Sequence, residues 1–202
     1  MPSPFADNRL LLATHNQGKV REMEALLAPF SVRLLSASDT PFPEPEETGA
    51  SFEANAAIKA LSAVTHTGIA ALADDSGLAI PALDGAPGIY SARWAGAEKD
   101  FTVAMEKVKT ELDAGNIAIE GTPAYFVCVL ALALTPDRVE YFRGEAHGTL
   151  TYPPRGDQGF GYDPIFIPEG HSLTFAEMSS TEKQALSHRA KAVAALEAWL
   201  QE

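Results

Sequence analysis

The 202-residue sequence has a single cysteine, so no disulfide can form within the chain and stability does not depend on an oxidising compartment. Cys128 lies in the apolar run Ala124 to Leu134, where a small buried hydrophobe fits better than a reactive thiol, which wants a polar, electropositive setting. Long apolar runs are also lacking. That run falls well short of the ~20 residues needed to span a bilayer, and Met1-Pro-Ser-Pro-Phe-Ala-Asp7 shows no basic region followed by an apolar stretch, so the cytoplasm is the default location. Cations are scarce: 15 lysines and arginines face 27 aspartates and glutamates, a net charge of -12. This excludes bulk attraction to nucleic acid or to an anionic membrane, and a phosphate-bearing partner must be held by a local basic pocket. No repeat, charge block or Gly/Ser linker divides the chain. At 46% hydrophobic and 21% charged residues it has globular composition, and residues 1–202 read as one domain with room for a second lobe.

What is present alternates between strand and helix patterns. Leu10 to Ala13 reads as a buried strand, and Val20, Met23, Leu26 and Leu27 follow with a helix period. Ser31 to Leu35 reads as a second strand, Pro41-Phe-Pro-Glu-Pro45 as a loop, and Ser51 to Val64 as a helix with Ala54, Ile58 and Leu61 on its apolar face. Ile69 to Ala73 reads as a strand ending at Asp74-Asp75. Then come a Gly/Pro-rich segment, Asp84 to Gly88, a helix from Phe101 to Leu112, and two long strands, Ala124–Leu134 and Val139–Leu150, joined by Pro136-Asp137. The tail from Ser179 to Leu200 is helical, with a capping-box pattern at Ser179 and Glu182. The whole predicts an α/β fold with a mixed sheet, whose strand ends and turns are ordinary places for a ligand.

Several polar groups fall at such places. Thr14-His-Asn-Gln-Gly-Lys19 joins the first strand to the first helix, where backbone N–H groups and the helix dipole suit phosphate. It is not a Walker A loop, because Ala13 and Val20 replace its first glycine and its Ser/Thr, and an ordinary polar N-cap turn explains it equally well. Glu44, Glu46 and Glu47 form an acidic loop. With one of Asp74 and Asp75, which point to opposite faces if extended, Glu46 or Glu47 would make a minimal Mg²⁺ site, although a turn rich in Asp, Ser and Gly competes with that reading. Phe52, Asn55 and Lys59 share one helix face, either beside that loop or simply in solvent. Gln158-Gly-Phe-Gly-Tyr-Asp-Pro164 offers Phe160 or Tyr162 to stack on a base and Asp163 to hydrogen-bond it, or else is a β-turn with a buried aromatic. Lys183 and Ser187-His-Arg189 share no face of one straight helix, which predicts a break near Ser187 and a new helix from His188.

Taken in order, Thr14-x-Asn16-x-Gly18-Lys19, Glu46-Glu-Thr-Gly49, Phe52-x-x-Asn55-Ala-x-x-Lys59-Ala60, Ala73-Asp-Asp-Ser-Gly77, Gly85-x-Pro-Gly-x-Tyr-Ser-Ala-Arg93, Gly159-Phe-Gly-Tyr-Asp-Pro164 and Glu182-Lys183 with Ser187-His-Arg189 resemble the inosine/xanthosine triphosphate pyrophosphatase family, from about Leu10 to Leu200. The resemblance implies a strongly twisted mixed sheet flanked by helices, with a nucleotide site in a central cleft between two lobes. It also implies a homodimeric Mg²⁺-dependent enzyme that converts ITP, dITP and XTP to the monophosphate and pyrophosphate. On that resemblance Thr14, His15, Asn16, Gln17, Gly18, Lys19, Asn55 and Lys59 hold substrate. Asp75 accepts a proton from water with Lys19 assisting and also holds metal, and Glu46 or Glu47 completes the metal site. Ser76, Arg93, Phe160, Gly161, Tyr162, Asp163, Lys183, His188 and Arg189 complete the substrate contacts. The rivals are a pyrophosphatase for another modified nucleotide and a nucleotide sensor without turnover.

Overall fold

Leu10, Leu11 and Leu12 are all buried although neighbours along a strand face opposite ways, so strand β1 (Arg9–Leu12) is covered on both faces. In the computed structural model, which describes residues 5–14, 16–29 and 32–201, β1 pairs in parallel with β2 (Arg33–Ser36) and with β3 (Ala71–Ala79). The remaining strands are β4 (Pro123–Thr135), β5 (Arg138–Leu150) and the short β6 (Phe166–Pro168), in the sheet order β2-β1-β3-β4-β5-β6. Pro136 and Asp137 make the turn between β4 and β5, and β5 pairs antiparallel with β6. The mixed α/β architecture is therefore as the alternating pattern predicts. The expected second strand begins at Arg33, and its proposed start at Ser31 lies outside the described residues.

The helices are α1 (Gln17–Leu27), α2 (Phe52–Thr67), α3 (Ser91–Trp94), α4 (Phe101–Ala114), α5 (Ser180–Leu186) and α6 (His188–Leu200). Among the described residues no helix is long and apolar enough to cross a membrane. Ser179 caps α5 through the reciprocal box with Glu182, and Ser187 is extended (φ -69°, ψ 150°), which breaks the tail where the sequence places the break. On α2 the buried face differs from the expected one. Ala56, Ala60 and Ala63 are fully buried, with Ala57 and Val64 beside them, whereas Ala54, Ile58 and Leu61 are only half-buried. The helix period is right but the stripe is turned, because alanines let the helix backbone approach its neighbours closely while the larger side chains straddle the border.

By compactness the chain divides into two units, each with its own core. The first comprises Met1–Asp75, Cys128–Gly144 and Arg189–Glu202, and the second Ser76–Val127 and Glu145–His188. The first buries Leu10, Leu12, Met23, Leu27, Leu72, Leu130, Leu132 and Leu196 against one another. Cys128 belongs to that core, and burial pushes its thiol up to about 12, as expected of a packing residue. The second unit packs Leu78, Ile80, Val108, Leu112, Phe126, Tyr162, Phe166 and Phe175.

The largest departure from the sequence reading is β3. It does not end at Asp74-Asp75 but runs on through both aspartates, Ser76 and Gly77 to Ala79. Turn-forming residues are held extended there by ladder bonds and by ion partners described below, which outweigh local preference. Gly77 is required by close approach. A methyl group at this position would be driven into the carbonyl oxygen of Gly88 and the hydroxyl of Ser91. That hydroxyl itself donates to Gly88 O at 2.7 Å and accepts from Leu78 N–H at 3.0 Å. Gly77→Ala is expected to cost about 1–3 kcal/mol by overpacking, read as a lower urea midpoint at constant slope. An unchanged midpoint would show that β3 and α3 have room to part.

Candidate active site

In the first unit, polar groups collect where β1 turns into α1. Asn16 is the N-cap: its Oδ1 accepts from the N–H groups of Gly18 at 2.9 Å and Lys19 at 3.2 Å, and its own N–H donates to Thr14 Oγ1 at 3.2 Å. The N-cap turn is thus present, and it turns the Lys19 side chain inward, where Nζ lies 2.9 Å from Asp74 Oδ2. His15 lies outside the described residues, and the side chain of Gln17 is likewise not described.

Asp74 and Asp75 are both buried and serve different cations. Asp74 Oδ2 also accepts from Arg189 Nη2 at 3.1 Å, and the fully buried guanidinium of Arg189 bonds Glu22 through Nη1. Burial opposes the Asp74 charge more strongly than any single neighbour supports it, yet Lys19, Arg189 and Lys59 together hold its carboxyl far below the ordinary carboxylate range. Arg189 is kept charged by the same logic, with burial outweighed by Asp74 and Glu22 among its neighbours. Asp75 is balanced the other way. Burial, with Glu47 and Asp74 adding to it, raises its carboxyl above the usual value against the pull of Lys59 and Lys19.

Lys59 closes this arrangement. Its Nζ donates to Glu47 Oε1 at 2.5 Å and lies 3.8 Å from Asp75 Oδ1, so two carboxylates from different segments meet on one ammonium. Burial is the largest influence on Lys59 and lowers its affinity for the proton, but Asp74, Asp75 and Glu47 more than restore it and the group is pushed above the ordinary lysine value. Glu46, one residue earlier, is exposed, so of the two glutamates it is Glu47 that joins Asp75. Among the described residues no three His, Cys, Asp or Glu side chains form a metal cage. A pair of hard oxygen donors still fits an ion that takes one or two carboxylates and fills its shell with waters and substrate oxygens, which describes Mg²⁺.

In the second unit the Gln158–Pro164 segment folds around Asp163. Its Oδ2 accepts from Phe160 N–H at 2.8 Å and from Lys183 Nζ at 2.7 Å, both aspartate and lysine being buried. Gly159, at φ +72°, has no space for a side chain because a Cβ there would meet the same Asp163 oxygen. Lys183 Nζ lies 4.8 Å from the centre of the Phe160 ring, so a half-buried aromatic face and an ammonium with three donors are presented together. Tyr162 does not share that role. It is 2% exposed, its ring meets Phe101 edge-on at 5.4 Å, and its hydroxyl donates to Ser91 O at 2.9 Å. Of the two aromatics it is the one tucked into the core, which leaves Phe160 as the stacking candidate, and burial pushes its phenol above the ordinary value. His188 is buried and stacked on Phe126, centroids 4.9 Å apart at 13°. Ser76 and Gly161 are half-buried, and Arg93 is exposed on α3 with its guanidinium 5.1 Å from the Tyr90 ring centre.

Two residues that matter here were given no role in the sequence reading. Glu22 stands three residues after Lys19, a spacing that shares a helix face and could have marked it. Ser91, which anchors both β3 and Tyr162, carries no such sign.

Nearly the whole chain resembles known proteins. A model of the Ham1 family matches residues 10–199. The chain is 57% identical to a dITP/XTP pyrophosphatase of Rhodospirillum centenum over 191 residues, covering 95% of this chain and 94% of that protein. To a dITP/XTP pyrophosphatase of Zymomonas mobilis it is 54% identical over 184 residues, covering 91% and 88%. A HAM1 protein structure from Coxiella burnetii superposes with a TM-score of 0.88 at 39% identity, covering 96% of this chain and 98% of that one. With the match spanning nearly every element described above, the chain belongs to the Ham1 family.

Proposed function

We propose that this protein hydrolyses non-standard purine nucleoside triphosphates, dITP, ITP and XTP, to the monophosphate and pyrophosphate; its relatives are named as pyrophosphatases for dITP and XTP. The observation that carries the reading is the meeting of Glu47, Lys59 and Asp75, with Lys19 on the adjacent Asp74. In the reaction the oxygen of water attacks the α-phosphorus. The bond from that phosphorus to the oxygen bridging to the β-phosphate breaks, and pyrophosphate leaves with that oxygen. Asp75 accepts the water proton, for which a raised carboxyl is better suited than an ordinary one. Lys19 and Lys59 neutralise the polyphosphate, Lys19 oriented by Asp74 and Lys59 by Glu47. A Mg²⁺ ion held by Glu47 and Asp75 with phosphate oxygens would add charge neutralisation at the same place.

The Phe160 face with Lys183 supplies a stacking surface and a donor. Hypoxanthine and xanthine carry an acceptor oxygen at position 6 where adenine carries an amino donor, so a donor-rich site pairs with the first two and leaves groups unpaired against the third. The overall charge of -12 favours free nucleotides over nucleic acid. By family likeness the protein acts in the cytoplasm as a homodimer, a state that sedimentation analysis reads directly.

The test is kcat/KM with Mg²⁺ across dITP, ITP, XTP, GTP and ATP, with products identified. The expected result is pyrophosphate released one-to-one with monophosphate, and preference for the three 6-oxo non-standard nucleotides over ATP of about 10⁴-fold if hydrogen-bond complementarity is the basis. Release of orthophosphate alone would reject the reaction. Turnover of a pyrimidine or methylated triphosphate in preference would reject the substrate.

A further inference from the structure

The acidic loop that carries Glu47 is strapped along α2 by three contacts that progress in register. Gly49 N–H donates to Asn55 Oδ1 at 2.8 Å, Lys59 Nζ to Glu47 Oε1 at 2.5 Å, and Ser62 Oγ to Pro43 O at 3.1 Å. The first is the tightest fit. Asn55 is fully buried, and a Cβ on Gly49 would lie 2.6 Å from Asn55 Oδ1 and 2.7 Å from the Ala54 methyl group. The chain can sit this close to α2 only with glycine there.

Asn55 is also a costly residue for its position. It stands at the edge of the buried alanine face of α2, next to Ala56 and Ala57, and its Nδ2 is a buried donor with no hydrogen-bond partner among the described residues. The Gly49 N–H can only donate, so the amide orientation is fixed with oxygen toward the loop and nitrogen inward. An alanine would continue the helix face without that penalty. What the asparagine contributes is therefore its oxygen, and that oxygen fixes Gly49, two residues from Glu47.

We propose that Asn55, acting through Gly49, is a positioning residue for the cation-binding carboxylate of Glu47. This rests on the reading of Glu47 and Asp75 as the metal pair given above. Lys59, one turn along α2 from Asn55, holds the Glu47 side chain from the far end, so backbone and carboxylate of the acidic loop are set from a single helix. Residues that orient metal ligands without touching the ion act in this way.

The experiment compares Mn²⁺ affinity, read by electron paramagnetic resonance as free ion remaining, in the wild type, Asn55→Ala, Asn55→Asp and Gly49→Ala. Melting temperature and the affinity for inosine monophosphate without metal are read beside it. Asn55→Ala and Gly49→Ala are expected to weaken Mn²⁺ binding about 10-fold or more, with monophosphate affinity unchanged in Gly49→Ala. Asn55→Asp keeps an acceptor for Gly49 and is expected to recover most of the loss. Gly49→Ala reaches the same contact from the loop side and decides the matter if the asparagine variants do not fold. Wild-type Mn²⁺ affinity in both Asn55→Ala and Gly49→Ala would overturn the proposal while leaving the metal reading intact, as would a loss of monophosphate affinity alone. A wild type that binds no Mn²⁺ would overturn both.

Discussion

Asp75→Asn is expected to lower kcat for dITP or ITP by about 10³-fold, within the range for loss of a positioned general base. The amide has the shape of the carboxyl, so Lys59 keeps Glu47 and Lys19 keeps Asp74. The expected loss therefore falls on kcat, while a non-hydrolysable triphosphate analogue still binds. Stability separates this outcome from simple damage. Burial and the nearby carboxylates raise the Asp75 carboxyl above its unfolded value, so the folded protein binds that proton more tightly than the unfolded chain does. Ionisation at neutral pH consequently subtracts from stability, and a neutral isostere should melt at the wild-type temperature or above. Turnover close to wild type would remove Asp75 from the chemistry. Lost turnover with a lowered melting temperature and lost analogue binding would make it a structural residue.

The features legible in the sequence were those set by local chemistry or by strong periodicity. The reciprocal cap at Ser179 and Glu182 needs only residues three apart, and the break at Ser187 followed from Lys183 and Arg189 being unable to share a helix face. Features set by partners far along the chain were not legible. The extension of β3 through Asp74, Asp75, Ser76 and Gly77 depends on cations from α1, α2 and α6 and on a hydroxyl from α3, none of which local preference can see. For the same reason Phe160 and Tyr162 looked alike as stacking residues, until the Ser91 carbonyl and the Phe101 edge claimed Tyr162 for the core. Short elements such as α3 and β6 hold too few residues to carry a period at all. In the candidate site the residue types were readable from spacing, whereas the pairing of Glu47 with Lys59 at 2.5 Å joins two segments in a way that spacing does not show.

Asp74→Ala is expected to be the most destabilising single change in the charged cluster, costing about 3–5 kcal/mol, the range for removing one partner of a buried ion pair. Asp74 joins Lys19 of α1 to Arg189 of α6, and its loss leaves two cations facing each other with reduced compensation. Against a net stability of about 5–15 kcal/mol for a domain, that is enough to bring the variant near its unfolding threshold. The Glu22 contact still serves Arg189, so the expected failure is a lowered midpoint rather than a chain that never folds. The pH dependence identifies the cause. The Asp74 carboxyl is depressed in the folded state, so its contribution is fully present above the unfolded value of about 3.9 and is lost as pH falls toward the folded value. Measured by urea denaturation without divalent ions, the gap between wild type and Asp74→Asn should be constant from neutral pH down to about pH 5 and narrow below about pH 4. A gap that stays constant through that acid range would mean that packing at this position, not its charge, holds α1 and α6 to β3.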